Sequence, residues 1–265
     1  MVSRVQAGLD SRVPWLALVV AFSPTLAQWA RGLREYPEDR VALLAPLLLG
    51  LAISRDSGVT SPSRRDGALA LGFGIGLELL GLLSDAQSVS ALGFPIAALG
   101  VARWLGHPRP VVMALLFFAV PLPDSILMLS SPELETAVAH AASATLRALG
   151  FAVEARGFSL LATAGRIELQ PAACGAVLAT AFAALGWYSA VRSGGGFVKA
   201  LRRGALAALC ALPVQALVVV VSGVLLAQGL RDAGWLWLTQ GGWIASSVVG
   251  LAWIHGRASA MRRTA

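Results

Sequence analysis

Apolar residues run through this chain in blocks about as long as a bilayer is thick, and the charged residues fall in the short breaks between them. A hydrocarbon core of about 30 Å takes roughly 20 helical residues, or about 17 at the short end. On that measure the pattern predicts eight spans, at 14–30, 41–53, 67–83, 86–105, 110–129, 175–191, 204–228 and 235–254. The block at 41–53 is short and bracketed by Arg40 and Arg55, whose long side chains can snorkel to the interface. The fifth is broken by Pro121 and Pro123. The first is preceded only by Arg4 and Arg12 and is not closed by a small-x-small cleavage site, so it reads as a retained helix.

One long stretch, 130–174, does not fit a span. Ser131-Pro132-Glu133-Leu134-Glu135 reads as a helix start: Ser131 can cap, Pro132 suits the first turn, and the acids favour the positive end of the dipole. That helix should end at Gly150. Glu133, His140 and Arg147 are spaced by seven and share one face, while the other faces are Ala, Leu and Val. After it, Phe151-x-Val153 and Ile167-x-Leu169 alternate around Gly157 and Gly165, which suits a small β-hairpin or an irregular extended segment. Pro171 then opens a helix with Cys174 in its first turn.

Composition agrees with the pattern. The 265 residues are 57% hydrophobic and 13% charged, against about a quarter charged in soluble domains, and mean hydropathy is +0.72. An ordinary water-soluble enzyme is excluded. The net charge of +7 could suggest nucleic acid, but the cations lie in breaks between apolar runs. With a cytoplasmic N-terminus and eight spans, 14 of the 21 Lys and Arg fall inside and ten of the 14 acids outside. The positive-inside rule therefore places both termini in the cytoplasm and 130–174 on the outer side. The fold class is an all-α polytopic bundle of about eight spans, one integral membrane domain over 1–265, with an amphipathic helix and a short extended or hairpin segment outside.

Cys174 is the first candidate for chemistry. A helix N-terminus favours a thiolate, the outer boundary admits a protein substrate, and Ala172, Ala173, Gly175 and Ala176 leave room for a backbone to approach. The competing reading is a buried cysteine acting as a small hydrophobe. Cys210, in the cytoplasmic half of the seventh span and roughly 27 Å from its outer end at helical rise, reads as packing. His107 and His255 fall on the cytoplasmic side, so among the histidines only His140, with Arg147 on its face, shares the outer side with Cys174; Arg166 is a second outer cation. A wet polar stripe on a peripheral helix explains His140 and Arg147 equally. Glu78, the one acid well inside a span, either faces a groove or proton path or is structural near the outer interface; the structural reading is favoured. Gly72, Gly74 and Gly76 sit in an apolar span with no preceding strand, a helix-packing surface and not a dinucleotide loop. Trp235, Trp237, Trp243 and Trp253 read as interfacial anchors. Lys199, Arg202 and Arg203 form a cytoplasmic stop. No Cys/His spacing suits a metal, and no cofactor is expected.

The chain resembles the exosortase/archaeosortase family of multi-span sorting transpeptidases. The similar residues are Pro121-Leu122-Pro123, Leu146-x-x-Leu149-Gly150-Phe151-x-Val153, the glycine-punctuated segment to Ile167-x-Leu169, and Ala173-Cys174-Gly175 opening the next helix. The resemblance implies a membrane cysteine transpeptidase or protease that cleaves C-terminal sorting signals of exported proteins. Such a signal comprises a short motif, one helix and a basic tail. Cys174 would form an acyl-enzyme, an Arg would hold the oxyanion and a His would handle protons. The family's Asn and Arg after the proline of the seventh span have no counterpart after Pro213, where the polar residues are Gln215, Ser222 and Gln228. The family's His is also missing from the stretch 234–243, and the usual Ser between Cys and Gly is absent. His140 and Arg147 are the candidate stand-ins. The alternative is a catalytically silent relative that binds a substrate helix or a partner in surface-protein or polysaccharide export. The expected partners are the sorting-signal helix and the lipid bilayer, with no nucleic acid; the expected location is a bacterial or archaeal cytoplasmic membrane with the site facing outside.

Overall fold

The computed structural model describes residues 13–35, 43–56, 61–120, 124–169 and 176–238. They divide into two compact units. The first contains α1 (Val13–Ala21), α2 (Ser23–Glu35), α3 (Leu44–Ile53), α4 (Arg64–Leu83), α5 (Gln87–Leu105) and α6 (Pro110–Met113), which runs on as a 3₁₀ segment, Ala114–Ala119. The second contains α7 (Asp124–Ala148), the strands β1 (Glu154–Arg156), β2 (Ser159–Ala162) and β3 (Gly165–Glu168), and most of α8 (Ala176–Arg192) and α9 (Phe197–Leu209). It also holds α10 (Ala211–Ala227) and a helix at 231–238.

In the first unit α4 and α5 form a helical hairpin whose backbones touch. Ser63 caps α4 by accepting the Asp66 N–H at 3.4 Å, which moves the start three residues ahead of the apolar block. Gly67, Gly74 and Gly81 recur every two turns along the seam and face Gly93, Gly100, Trp104, Ala97 and Ser90 of α5. Small residues are how apolar helices pack closely in a membrane, where burial from water supplies no drive. Of the glycines singled out from sequence only Gly74 lies in the seam; Gly72 and Gly76 meet open space. The opposite face of α4 is also apolar, with Leu69, Phe73, Leu80 and Leu83 exposed. A helix that is hydrophobic all round belongs in lipid.

Against α5 lie α1 and α2, which bend by 64° at Phe22, so the block at 14–30 is a bent pair and not one straight span. Phe22 and Trp29 meet Phe94 edge-to-face, with centroids 5.6 and 5.9 Å apart. Beside them Glu78 is 3% exposed and accepts from the Thr25 hydroxyl at 2.6 Å (Oε1) and 2.8 Å (Oε2). The carboxyl thus ties α2 to α4. Elsewhere Asp56, its side chain 1% exposed, accepts from Arg109 Nε at 2.7 Å and from the Arg109 backbone N–H at 3.0 Å, anchoring the start of α6.

The remaining expected spans fare unevenly. Among the described residues, three helices are long and apolar enough to cross a membrane, Arg64–Leu83, Gln87–Leu105 and Phe197–Ala227, or four with the bent pair. The block at 41–53 yields a helix of only 10 residues. The block at 110–129 breaks before 121, where X-Pro geometry disfavours helix. The helix after it begins at Asp124 and runs 25 residues to Ala148. Ser131 therefore lies inside α7 and is not its cap: the helix continues through Pro132. The seventh block begins earlier than expected, at Phe197, because amphipathic α9 leads into α10. The eighth, 235–254, falls almost wholly outside the described residues. Trp237, expected as an interfacial anchor, has its indole nitrogen buried without an acceptor among the described residues.

Candidate active site

The second unit is organised around a seam between α7, the sheet and α10. Among the residues of α7 whose burial is described, Glu135, Val138, Ala139, Ala142, Ser143 and Leu146 are buried, at helical spacings of three and four. Val138, Ala139, Ala142 and Leu146 pack with Val153, Leu160, Ile167 and Leu169 from the strand segment and with Val219 and Leu226 of α10. Gly150, at φ +87°, ends α7 as the sequence predicts. Phe151 N–H donates to the Leu146 carbonyl and Gly150 N–H to the Arg147 carbonyl, both at 3.0 Å. That closure needs a left-handed residue. The chain then enters β1 under a second restraint, since Ser143 Oγ donates to the Val153 carbonyl at 2.9 Å.

The segment expected as a hairpin is a three-stranded antiparallel sheet in the order β1-β2-β3. Register pairs Leu160 with Ala155 and Ile167, and Ser159 with Arg156 and Glu168. Alternation puts Leu160 and Ile167 into the seam and leaves Glu154, Arg156, Arg166 and Glu168 exposed. On that outward face Arg166 donates to Ser159 Oγ from Nε at 3.1 Å and Nη2 at 2.9 Å, and Nη2 lies 2.8 Å from Glu168 Oε1. The guanidinium covers Ser159, which is 1% exposed.

Of the residues singled out from sequence, His140 and Arg147 are both exposed, with Glu133, on the face of α7 opposite the seam. Cys174 lies outside the described residues; along the chain it falls between β3 and the start of α8 at Ala176. Arg166 is engaged with Ser159 and Glu168. Cys210 is not packed in a core: it is exposed at the junction of α9 and α10, its Sγ donating to the Leu206 carbonyl at 3.6 Å. Gln215 and Ser222 are buried on α10, Ser222 Oγ donating to the Val218 carbonyl at 2.9 Å. Ser143 and Ser159 are not among the residues singled out from sequence, and Glu135, expected in a first turn, is buried in mid-helix. Glu135 could have been found, because it continues the buried stripe one turn ahead of Val138 and Ala139. Among the described residues no three His, Cys, Asp or Glu side chains converge on a point as a metal ion requires.

The sequence profile described as transmembrane exosortase matches residues 29–255. No curated protein and no solved structure matches the chain. The profile covers most of the molecule, from α2 past the described end at 238, and takes in the sheet and the helices on either side of it. The chain belongs to the transmembrane exosortase family.

Proposed function

We propose that this exosortase-family membrane protein processes C-terminal sorting signals of exported proteins, with Cys174 as nucleophile. The observation that carries the reading is the sequence Ala173-Cys174-Gly175 between a small sheet and α8, an apolar helix of 17 residues. In the proposed step the Cys174 thiolate attacks the scissile carbonyl carbon. The C–S bond forms, the C–N bond breaks, and the departing amine takes a proton. The acyl-enzyme then passes to an amine or water acceptor. His140 is the proposed proton carrier and Arg147 the proposed oxyanion partner, on the non-cytoplasmic side of the membrane and with both termini in the cytoplasm.

The test is co-expression with exported proteins that end in a short motif, an apolar helix and a basic tail. Loss of that tail with the parent chain and its retention with Cys174→Ala is the expected result; processing that survives the substitution removes the cysteine mechanism. A second reading, a catalytically silent relative that binds the substrate helix, is favoured by α10. Its 17 residues carry no ionisable side chain where the family resemblance implies an Arg. Under that reading the parent chain captures the substrate and never shortens it.

A further inference from the structure

The face of α4 turned away from the α5 seam carries a groove with a charged top. Arg65, Gly72 and Leu79 are seven apart, as are Leu69, Gly76 and Leu83, so all six share one face of the helix. Every one of them is exposed. A Cβ built on Gly72 or Gly76 meets nothing within 4 Å, whereas one on Gly67, Gly74 or Gly81 would strike the backbone of α5. Ala68 is exposed as well, so Ala68, Gly72 and Gly76, four apart, floor the groove. Leu69 and Phe73 edge it on one side and Ile75 on the other, and Leu79 and Leu83 close its far end; all are exposed. Glycine weakens a helix, and nothing among the described residues packs on these two in return.

Two cations stand at the head of the same groove. Arg64 and Arg65 are exposed, and neither makes an ion pair among the described residues. The next residue, Asp66, is engaged instead by Arg103 at the end of α5, 3.8 Å away. Trp104, which follows Arg103, is exposed, and its backbone nitrogen lies against Gly67. A tryptophan at the end of an apolar helix belongs at the level where hydrocarbon meets headgroups, which sets Arg64 and Arg65 among the headgroups. From Arg65 to Gly76 the helix rises about 16 Å, close to the roughly 15 Å depth of one leaflet.

We propose that this face of α4 binds an anionic phospholipid, its phosphate held by Arg64 and Arg65 and one acyl chain laid over Ala68, Gly72 and Gly76. Guanidinium groups pair strongly with phosphate oxygens, and the length from cation to groove end matches one leaflet. Charge decides against the other occupants. A second copy crossing at the glycines in the same orientation would bring its own Arg64 and Arg65 towards these two. The helix of a sorting signal would carry its basic tail to the side where the positive-inside rule puts them. An occupant negative at the head and apolar below it suits both ends of the groove. The inference stands apart from the sorting-signal reading and from Cys174.

The test reconstitutes the full chain in phosphatidylcholine vesicles with a trace of photoreactive phosphatidylglycerol or of photoreactive phosphatidylcholine, each with a diazirine midway along one acyl chain. Label from phosphatidylglycerol should concentrate at 68–76 and exceed that from phosphatidylcholine about tenfold at equal amounts, less at high salt. Arg64→Gln with Arg65→Gln should bring the two probes to within about twofold of each other, while Arg64→Lys with Arg65→Lys keeps most of the preference. Gly72→Leu with Gly76→Leu fills the groove, leaves the charges in place and should abolish the concentration of label at 68–76. Equal labelling by the two probes in the parent, a preference that survives in the Gln pair, or label spread evenly along the lipid-facing helices would each overturn the proposal. Protection of 68–76 from both probes in the parent would mean that another helix, a second copy included, covers this face, and would overturn it too. If the Gln pair does not insert, the Leu pair decides: an unchanged preference at 68–76 there removes the groove.

Discussion

Replacing Gly74 by Ala tests whether the α4–α5 seam is a backbone contact. The new Cβ would lie 2.6 Å from Ala97 N, 2.7 Å from Ala97 Cβ and 2.7 Å from the Gly93 carbonyl oxygen, whereas ordinary contacts begin at 3.4 Å. Two of those three atoms are backbone, so no side chain can turn aside, and the helices must part by about 1 Å, which forfeits about a quarter to a half of each dispersion contact along the seam. Overpacking of this kind costs about 1–3 kcal/mol, offset by up to about 1 kcal/mol from the better helix preference of Ala. The net expectation is a loss of up to about 2 kcal/mol against the parent, and of about 1–3 kcal/mol against an Ala that meets open space on the same helix. Gly72→Ala is the matched control: it sits two residues away on the same helix with nothing within 4 Å, so it keeps the propensity gain alone. Unfolding midpoints in mixed detergent micelles should therefore place Gly72→Ala at or above the parent and Gly74→Ala clearly below Gly72→Ala. Coincident midpoints for the two variants would refute the close approach.

Thr25→Val removes the hydroxyl that both Glu78 oxygens accept from, and should lower stability by about 1–3 kcal/mol, with Thr25→Ser restoring most of it, read by thermal unfolding in detergent. A Thr25→Val variant as stable as the parent would mean that the carboxyl has another donor. Gly150→Ala should cost about 1 kcal/mol, because it puts a Cβ at φ +87° in the closure of α7. Hydrogen exchange at Phe151 should rise with it, and unchanged protection there would count against the closure.

Much of the helical layout is legible in the hydrophobic blocks, since α4 and α5 follow theirs to within a few residues. What the blocks hide is geometry that composition does not encode. The bend at Phe22 stands directly before Ser23-Pro24-Thr25, a break that a count of apolar residues over the block passes over. The glycine seam uses Gly67, Gly74 and Gly81, a period of seven, while the more conspicuous alternate run Gly72, Gly74, Gly76 places two of its three members on the open side. The helix start assigned to Ser131 and Pro132 shows the limit of local signals. Capping residues raise the odds of a terminus, but in α7 the helix begins at Asp124, directly after the proline-broken stretch, and carries Pro132 inside it.

The site divides along the same line. Gly150 and the alternation around Gly157 and Gly165 announced the end of α7 and the extended segment, because left-handed glycines and period-two runs are local. Which face of α7 meets that segment is a long-range matter, settled by the stripe from Glu135 to Leu146. His140 and Arg147 follow from it: spaced by seven on the uncovered face, they lie on the side of α7 that the sheet does not pack against. A histidine there serves Cys174 only if the chain between β3 and α8 comes round to that face. The seam itself offers a hydroxyl and a buried carboxyl, at Ser143 and Glu135, and among the described residues no imidazole. The choice between an active transpeptidase and a silent binder therefore reduces to the path of the six residues from Glu168 to Cys174. Capture and tail loss, measured together in the Cys174→Ala background, read that path chemically.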